Sequence, residues 1–145
     1  ILYFSQMNVF VDANVLISVL NKEYPSFTYT SRILSLANSK HQIFTSPICL
    51  AIAFCYAEKK YKAKAVKEKI RLLCSHIAIT NTGRTEVINA LQNPAVLDFE
   101  DGMEYYSAIE SRCTCIVTED VADFHFASIE VLSSENFFLK YLFQK

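Results

Sequence analysis

The chain alternates between short apolar runs and longer segments whose apolar residues recur every three or four positions. The apolar runs occupy residues 8–11, 42–45, 76–80, 115–117 and 129–132. The first run shows no polar alternation, which is typical of a parallel strand that is covered on both faces. We therefore interpret the five runs as strands of one parallel sheet.

The segments between these runs show helical periodicity. They occupy residues 14–20, 30–37, 48–57, 61–75, 85–91 and 98–112, and a last helix follows Ser133 or Ser134. Ser46 and Pro47 are typical of a helix start, as a cap and a first-turn residue. Strands that alternate with helices predict an α/β three-layer sandwich, with a five-stranded parallel sheet and helices on both faces.

The chain has 145 residues, which suits one domain, and we assign that domain to residues 7–145. Residues 1–6 are interpreted as a tag remnant or a short extension, because Leu2, Tyr3 and Phe4 resemble the tail of a cleavable tag. Hydrophobic residues make up 52% and charged residues 20% of the chain, as in globular proteins. No apolar run approaches the roughly 18–20 residues of a transmembrane helix, so no membrane association is expected.

Two further features concern compartment and charge. The five cysteines are an odd number without zinc-site spacing, which indicates buried reduced thiols and a cytoplasmic protein. The net charge is −1, but six lysines and one arginine fall within residues 59–71. Lys62, Lys64 and Lys67 are candidate RNA-binding residues, since basic side chains attract a phosphate backbone. The alternative is a solvated helix face.

Acidic residues follow the predicted strands at informative positions. Asp12 comes directly after the first strand, and Asp120 comes shortly after the fourth. Asp98 and Asp101 open the helix before the fourth strand and share one helix face. Ligands of open parallel sheets bind beyond the carboxyl ends of the strands, so these acids are expected to share a cleft. Taken singly, Asp12 and Asp98 could be helix caps, and Asp120 and Asp123 turn residues.

Several carboxylates in one cleft repel each other unless a cation neutralises them. Mg²⁺ favours oxygen ligands, and a bound divalent ion can activate water for hydrolysis of a phosphodiester. The sequence has no P-loop, no G-x-G-x-x-G and no H-E-x-x-H motif, which removes the usual competing sites. The pattern therefore favours a metal-dependent phosphodiesterase.

Three ordered motifs carry a family resemblance. Residues 10–16, 98–108 and 116–124 resemble the opening, third and fourth acidic motifs of the PIN-domain family. The resemblance implies Mg²⁺ or Mn²⁺ as cofactor and cleavage of RNA by Asp12, Asp101 and Asp120. It also implies a VapC-like toxin that forms a homodimer and binds a protein antitoxin. Supporting roles would fall to four residues: Asn14, Ser46, Thr118 and Asp123.

One departure from the family pattern concerns the second acidic motif. Ile52 stands where the family usually carries a glutamate. Asp98 is the preferred substitute because it lies one turn from Asp101, which gives the metal set Asp12, Asp98, Asp101 and Asp120. Glu58 is the other candidate. The alternatives are a catalytically weakened PIN-like binding or regulatory module, and a flap- or phosphatase-like metallohydrolase.

Overall fold

The computed structural model describes residues 6–143 and contains one five-stranded sheet. All its strand pairs are parallel, in the order β3-β2-β1-β4-β5. The strands are β1 (Asn8–Val11), β2 (Gln42–Thr45), β3 (Ala78–Ile79), β4 (Cys115–Val117) and β5 (Glu130–Leu132). The predicted α/β fold, a parallel sheet between helices, is confirmed. The interpretation of residues 1–6 falls, except for Gln6, outside the described residues.

Seven α-helices connect and follow these strands in the described part of the chain. They are α1 (Ala13–Asn21), α2 (Phe27–Leu34), α3 (Pro47–Ala57), α4 (Ala63–Cys74), α5 (Arg84–Gln92), α6 (Phe99–Glu110) and α7 (Ser134–Phe137). Short 3₁₀ turns lie at Ser35–Asn38 and Val121–Phe124, and a π-helical turn at Phe138–Leu142 continues α7. None of the described helices is long and apolar enough to cross a membrane.

The central strand β1 is the core of the sheet. Val9, Phe10 and Val11 are fully buried, because β2 and β4 flank the strand and helices cover its faces. Val9 is aligned with Ile43 of β2 and with Cys115 of β4. The order places the carboxyl ends of β1 and β4 side by side, with β2 on the other side of β1. The sheet order reverses at β1, where a ligand cleft is expected.

Helix starts explain how polar residues come to this edge. Oδ1 of Asp12 accepts a hydrogen bond of 2.7 Å from the Ala13 amide and caps α1. Oγ of Ser46 accepts one of 3.0 Å from the Cys49 amide and caps α3. Such side-chain caps satisfy amides that have no partner within the helix. The acid after β1 is therefore fixed in place by the helix that it starts.

Predicted and observed bounds differ most at β3. The run 76–80 predicts a five-residue strand, whereas only Ala78–Ile79 pair as one. The amides of His76 and Ile77 instead donate to the carbonyl of Leu73 at 3.0 and 3.2 Å, which prolongs the last turn of α4. The helix end thus competes with the strand for the same backbone groups.

Candidate active site

Three of the predicted acids line one cleft. Asp12, Asp101 and Asp120 face a depression of about 380 Å³ at the carboxyl edge of β1 and β4. The rest of the wall is Ala13, Asn14, Ile17, Glu23, Ile52, Tyr56 and Glu100. These residues come from separate parts of the chain, so the cleft exists only in the folded protein. Its composition is acidic on one side and apolar on the side of Ile17 and Ile52.

Asp12 is the most buried acid of the cleft. It is only 7% exposed, and Oδ2 accepts a hydrogen bond of 2.8 Å from the hydroxyl of Thr118. Oδ1 is already bonded to the Ala13 amide. Both carboxylate oxygens therefore have fixed directions, and the backbone of Asp12 is held by a 3.0 Å hydrogen bond from its amide to the Val117 carbonyl.

Asn14 connects Asp120 to the same network. Its Nδ2 donates to Oγ1 of Thr118 at 3.2 Å and to Oδ2 of Asp120 at 3.3 Å. Its Oδ1 accepts a hydrogen bond of 3.3 Å from the Glu119 amide, and Oγ1 of Thr118 accepts one of 3.0 Å from the Asp120 amide. Asn14 and Thr118 thus position Asp120 relative to Asp12, in addition to any role of Asn14 at the start of α1.

The electrostatics of the cleft favour a cation. Burial, followed by the charges of Asp98 and Asp12, raises the pKa of Asp101 to about 7. Burial and the same two neighbouring charges also raise the pKa of Glu100. These shifts express the cost of holding several negative charges together at a partly dry surface. A bound divalent cation would remove that repulsion.

A buried group lies behind Asp12. Glu104 of α6 is fully buried, and its Oε1 accepts a hydrogen bond of 2.9 Å from the thiol of Cys49. The thiol of Cys49 also lies 3.8 Å from Oδ1 of Asp12. Burial, followed by the charge of Asp12, raises the pKa of Glu104 to about 10. Burial and the charges of Glu104 and Asp12 raise the pKa of Cys49 well above its usual value.

Other predicted site residues lie outside this cleft. Asp98 caps α6, since its Oδ1 accepts hydrogen bonds from the amides of Glu100 at 2.9 Å and Asp101 at 3.2 Å. Asp98 and Asp123 line a neighbouring depression together with Asp101 and His125. Ser46 is buried and caps α3. These placements favour a structural role for Asp98 and Ser46, and their predicted site roles stay predictions.

Glu58 and the basic residues lie beyond the cleft wall. Glu58 is exposed just after α3 and is not part of the lining. Lys62, Lys64 and Lys67 are exposed at the start of α4, which follows α3. Lys60 and Lys69 of the same basic stretch are used within the fold, because their Nζ atoms donate to the carbonyls of Asn21 and Leu20.

Sequence reasoning missed Glu104 and Cys49. Glu104 follows Asp101 by three positions on α6, so it shares a helix face with Asp101, and this spacing is a usable signal. Cys49 offers no such signal, because an isolated cysteine in an apolar helix has the pattern of a core residue. Glu100, Glu23 and Tyr56 were also missed as parts of the cleft wall.

The donor set fits a divalent cation. Three carboxylates from separate elements face one open cleft, and oxygen ligands of this kind suit Mg²⁺ and Mn²⁺. One buried oxygen, Oε2 of Glu104, has no hydrogen-bond partner among the described residues. An unpaired buried oxygen beside another carboxylate is costly unless a cation or a proton occupies the space between them.

The protein is a parallel α/β domain with an acidic cleft at the point where the strand order reverses. A family model of the PIN domain matches residues 8–122. The chain therefore belongs to the PIN-domain family, and the resemblance inferred from the three motifs is confirmed. A comparison with curated protein sequences finds no match.

Solved structures show the same fold. One is VapBC2 of Rickettsia felis bound to a DNA fragment from its promoter, which is 19% identical in sequence. The match spans 88% of this chain and 98% of the Rickettsia felis chain, with a TM-score of 0.65. VapC20 of Mycobacterium tuberculosis, a sarcin-ricin loop cleaving toxin, is 11% identical with coverages of 74% and 86% and a TM-score of 0.59. A protein of Pyrobaculum aerophilum is 15% identical, with coverages of 92% and 94% and a TM-score of 0.64. At these identities the likeness concerns the fold.

Proposed function

We propose that this chain is an endoribonuclease that hydrolyses RNA phosphodiesters with Mg²⁺ or Mn²⁺, and that it is the toxin of a toxin–antitoxin pair. The observation that carries the proposal is the meeting of Asp12, Asp101 and Asp120 at one cleft. The match to the PIN-domain family supports a nuclease, and one structural neighbour is a sarcin-ricin loop cleaving toxin.

In this proposal Asp12, Asp101 and Asp120 hold the cation. A divalent ion bound there supplies positive charge for a hydrolytic water and for a phosphodiester oxygen. Thr118 fixes the direction of Asp12, and Asn14 fixes that of Asp120, through the hydrogen bonds described above. Pre-oriented ligands of this kind spare the protein a reorganisation cost when the substrate binds.

The test is RNA cleavage by purified protein with and without the ion. We expect cleavage in millimolar Mg²⁺ or Mn²⁺, its loss on addition of EDTA, and its loss in Asp12→Asn. Glu110→Gln is a matched control, because Glu110 is an exposed acid at the far end of α6. Cleavage that survives Asp12→Asn, or that resists EDTA, would contradict the proposal.

One observation favours a second candidate, a PIN-like binding or regulatory module. Ile52 lines the cleft at the place where the family resemblance implies an acid. If the remaining acids hold the ion too weakly, the protein would bind a partner without cleaving RNA. This candidate requires that no Mg²⁺ or Mn²⁺ binding is measurable at millimolar concentration, while binding of a partner protein is retained.

The toxin role has its own test. The neighbour from Rickettsia felis is a two-component complex on promoter DNA, which supports a protein antitoxin as partner of this chain. We propose a homodimer in the cytoplasm whose expression arrests growth unless a small protein encoded beside it is co-expressed. Growth arrest that persists in Asp12→Asn would contradict RNA cleavage as the cause of toxicity, and absence of arrest with the wild-type protein would contradict the toxin assignment.

A further inference from the structure

We propose that Glu104 supplies the fourth acidic ligand of the cation site beside Asp12, in place of the acid that is absent at Ile52, and that Cys49 becomes a further ligand when the ion is thiophilic. This inference rests on the proposed function, and it gives the role of cation ligand to two residues, Glu104 and Cys49, to which the motif resemblance gives no role. The fourth ligand would then come from α6, on the buried side of Asp12, and not from α3.

Geometry is the first argument. Ligand atoms of Asp12, Cys49 and Glu104 all lie within 4.8 Å of one another. This separation is compatible with one ion bound at distances of about 2.0–2.3 Å from oxygen and sulfur ligands after small side-chain shifts. All three residues are buried, so the ion would be shielded from water on this side.

The unpaired oxygen of Glu104 is the second and independent argument. Oε1 of Glu104 is bonded to the Cys49 thiol, whereas no donor among the described residues is bonded to the buried Oε2. Another side-chain contact of Glu104 is with the carboxyl group of Asp12, and two carboxyl groups can form a hydrogen bond only by sharing a proton. Glu104 itself is 0% exposed, so water does not satisfy this oxygen from the surface. A buried carboxylate is retained at such a position when a cation or a hydrogen-bond donor completes it.

The competing acids are less well placed. Oδ1 of Asp98 accepts the hydrogen bond that caps α6, and Asp98 lines a different depression. Glu58 is exposed and lies outside the cleft. Glu104 lies one helical turn after Asp101, so both side chains project from the same face of α6. Glu104 is therefore the acid of α6 whose ligand atoms lie near those of Asp12, whereas Asp101 of the same helix lines the open cleft.

The thiol determines which cation is preferred. Sulfur ligands favour Zn²⁺ and Cd²⁺, whereas Mg²⁺ favours oxygen. When any of these ions binds, the proton of the Glu104 carboxyl goes to solvent and the carboxylate becomes a ligand. When a thiophilic ion binds, the Cys49 proton also goes to solvent and the thiolate becomes the third ligand. With Mg²⁺ or Mn²⁺, the thiol keeps its proton and its hydrogen bond to Glu104.

The test is calorimetric titration of the full chain with Mn²⁺, Mg²⁺ or Zn²⁺ alone, without RNA. Glu104→Gln keeps the size of the side chain but cannot become a carboxylate ligand. We expect it to weaken binding of all three ions by roughly tenfold or more, as loss of a ligand does. Its matched control is Glu86→Gln, because Glu86 is also buried but accepts a hydrogen bond from the Gly83 amide, outside the cleft.

Cys49→Ser tests the thiol. Most protein sites bind Zn²⁺ more tightly than Mn²⁺, so the order of the two affinities in one protein is not informative. The informative quantity is the change in each affinity from the wild type to Cys49→Ser. We expect Zn²⁺ affinity to fall roughly tenfold or more while Mg²⁺ affinity stays within about threefold. Cys113→Ser is the control, since Cys113 is buried away from the cleft. A Cd²⁺–thiolate absorption band should appear in the wild-type protein and in Cys113→Ser, and be absent in Cys49→Ser.

A second substitution that restores ion binding shows that Glu104→Gln has not simply unfolded the protein. Ile52 lines the cleft, so Ile52→Glu in the Glu104→Gln background should restore Mn²⁺ binding to within about tenfold of the wild type. Unchanged Mn²⁺ binding in a folded Glu104→Gln variant would overturn the proposal. Unchanged Zn²⁺ affinity in Cys49→Ser would overturn the claim that the Cys49 thiolate is a ligand of Zn²⁺. A wild-type protein that binds Mn²⁺ through Glu104 but cleaves no RNA would instead contradict only the proposed function.

Discussion

The hydroxyl of Thr118 donates a hydrogen bond of 2.8 Å to Oδ2 of Asp12, across 106 positions of the sequence. Thr118 is fully buried at the end of β4, and Asp12 follows the end of β1. The same hydroxyl oxygen accepts hydrogen bonds from Asn14 and from the Asp120 amide. One side chain thus connects two of the cleft acids, although the motifs that contain them are far apart in the chain.

Thr118→Val removes this hydroxyl at nearly constant volume. We expect it to lower the free energy of unfolding by about 1–3 kcal/mol, because two donors and one buried carboxylate oxygen lose a partner. Denaturant unfolding measures the change. RNA cleavage should fall mainly through the turnover rate, since Asp12 loses its orientation. Thr118→Ser keeps the hydroxyl and is the control; a loss in Thr118→Ser as large as that in Thr118→Val would contradict the assignment of the effect to the hydroxyl.

Gly102→Ala tests the contact between α5 and α6. A Cβ atom at Gly102 would lie 2.6 Å from Cγ1 of Val96 and 3.0 Å from Cβ of Ala90. Alanine is the better helix former by up to about 1 kcal/mol. Overpacking of this kind costs about 1–3 kcal/mol, so we expect a net loss of stability. Thermal unfolding measures it, and Val96→Ala in the same chain should recover part of the loss. A Gly102→Ala protein more stable than wild type would refute the close contact.

Charge reversal of Lys62, Lys64 and Lys67 to Glu tests the basic surface at the start of α4. If these exposed side chains bind RNA phosphates, the affinity for RNA should fall with each phosphate that is no longer neutralised. The slope of log affinity against log salt should fall by roughly 0.7 for each such phosphate of a single strand. The control reverses Lys40 and Arg112, which are exposed just before β2 and β4 at the opposite edge of the sheet. An unchanged slope in the triple variant would leave α4 as a solvated face.

His41 should make stability depend on pH. It is 2% exposed, and its Nδ1 accepts a hydrogen bond of 3.0 Å from the Met7 amide. Burial, followed by the charge of Lys40, lowers the pKa of His41 in the folded protein. The unfolded chain therefore binds a proton first, and His41 should cost stability as the pH falls below about 6.5.

The measurement is the unfolding free energy between pH 7.5 and 5 for the wild type and for His41→Asn. Asparagine keeps an acceptor for the Met7 amide but does not titrate in this range. The wild type should lose stability relative to the variant as the pH falls, and the carboxylates of the cleft cancel in this difference. A constant difference across the range would show that His41 keeps its ordinary pKa.

Much of the fold could be predicted from the sequence because its signals are local. The apolar runs that became β1, β2 and β4 have the predicted bounds, since a buried parallel strand needs only apolar side chains on both faces. Ser46 and Pro47 marked the start of α3 correctly for the same kind of reason. The predicted bounds of β3 agree less well with the structure, because the end of α4 and the strand compete for the same backbone groups. No residue type in this segment indicates that competition.

The sequence by itself determined the parallel α/β fold, the family and the presence of Asp12, Asp101 and Asp120 near strand and helix ends. Only the tertiary structure decided which acids share a cleft. It placed Asp98 at the cap of α6, where its side chain lines a neighbouring depression and not the cleft of Asp12. It also placed Glu104 and Cys49 behind Asp12, since α3 and α6 approach each other there. Periodicity gives the face of one helix, but only packing determines what that face meets.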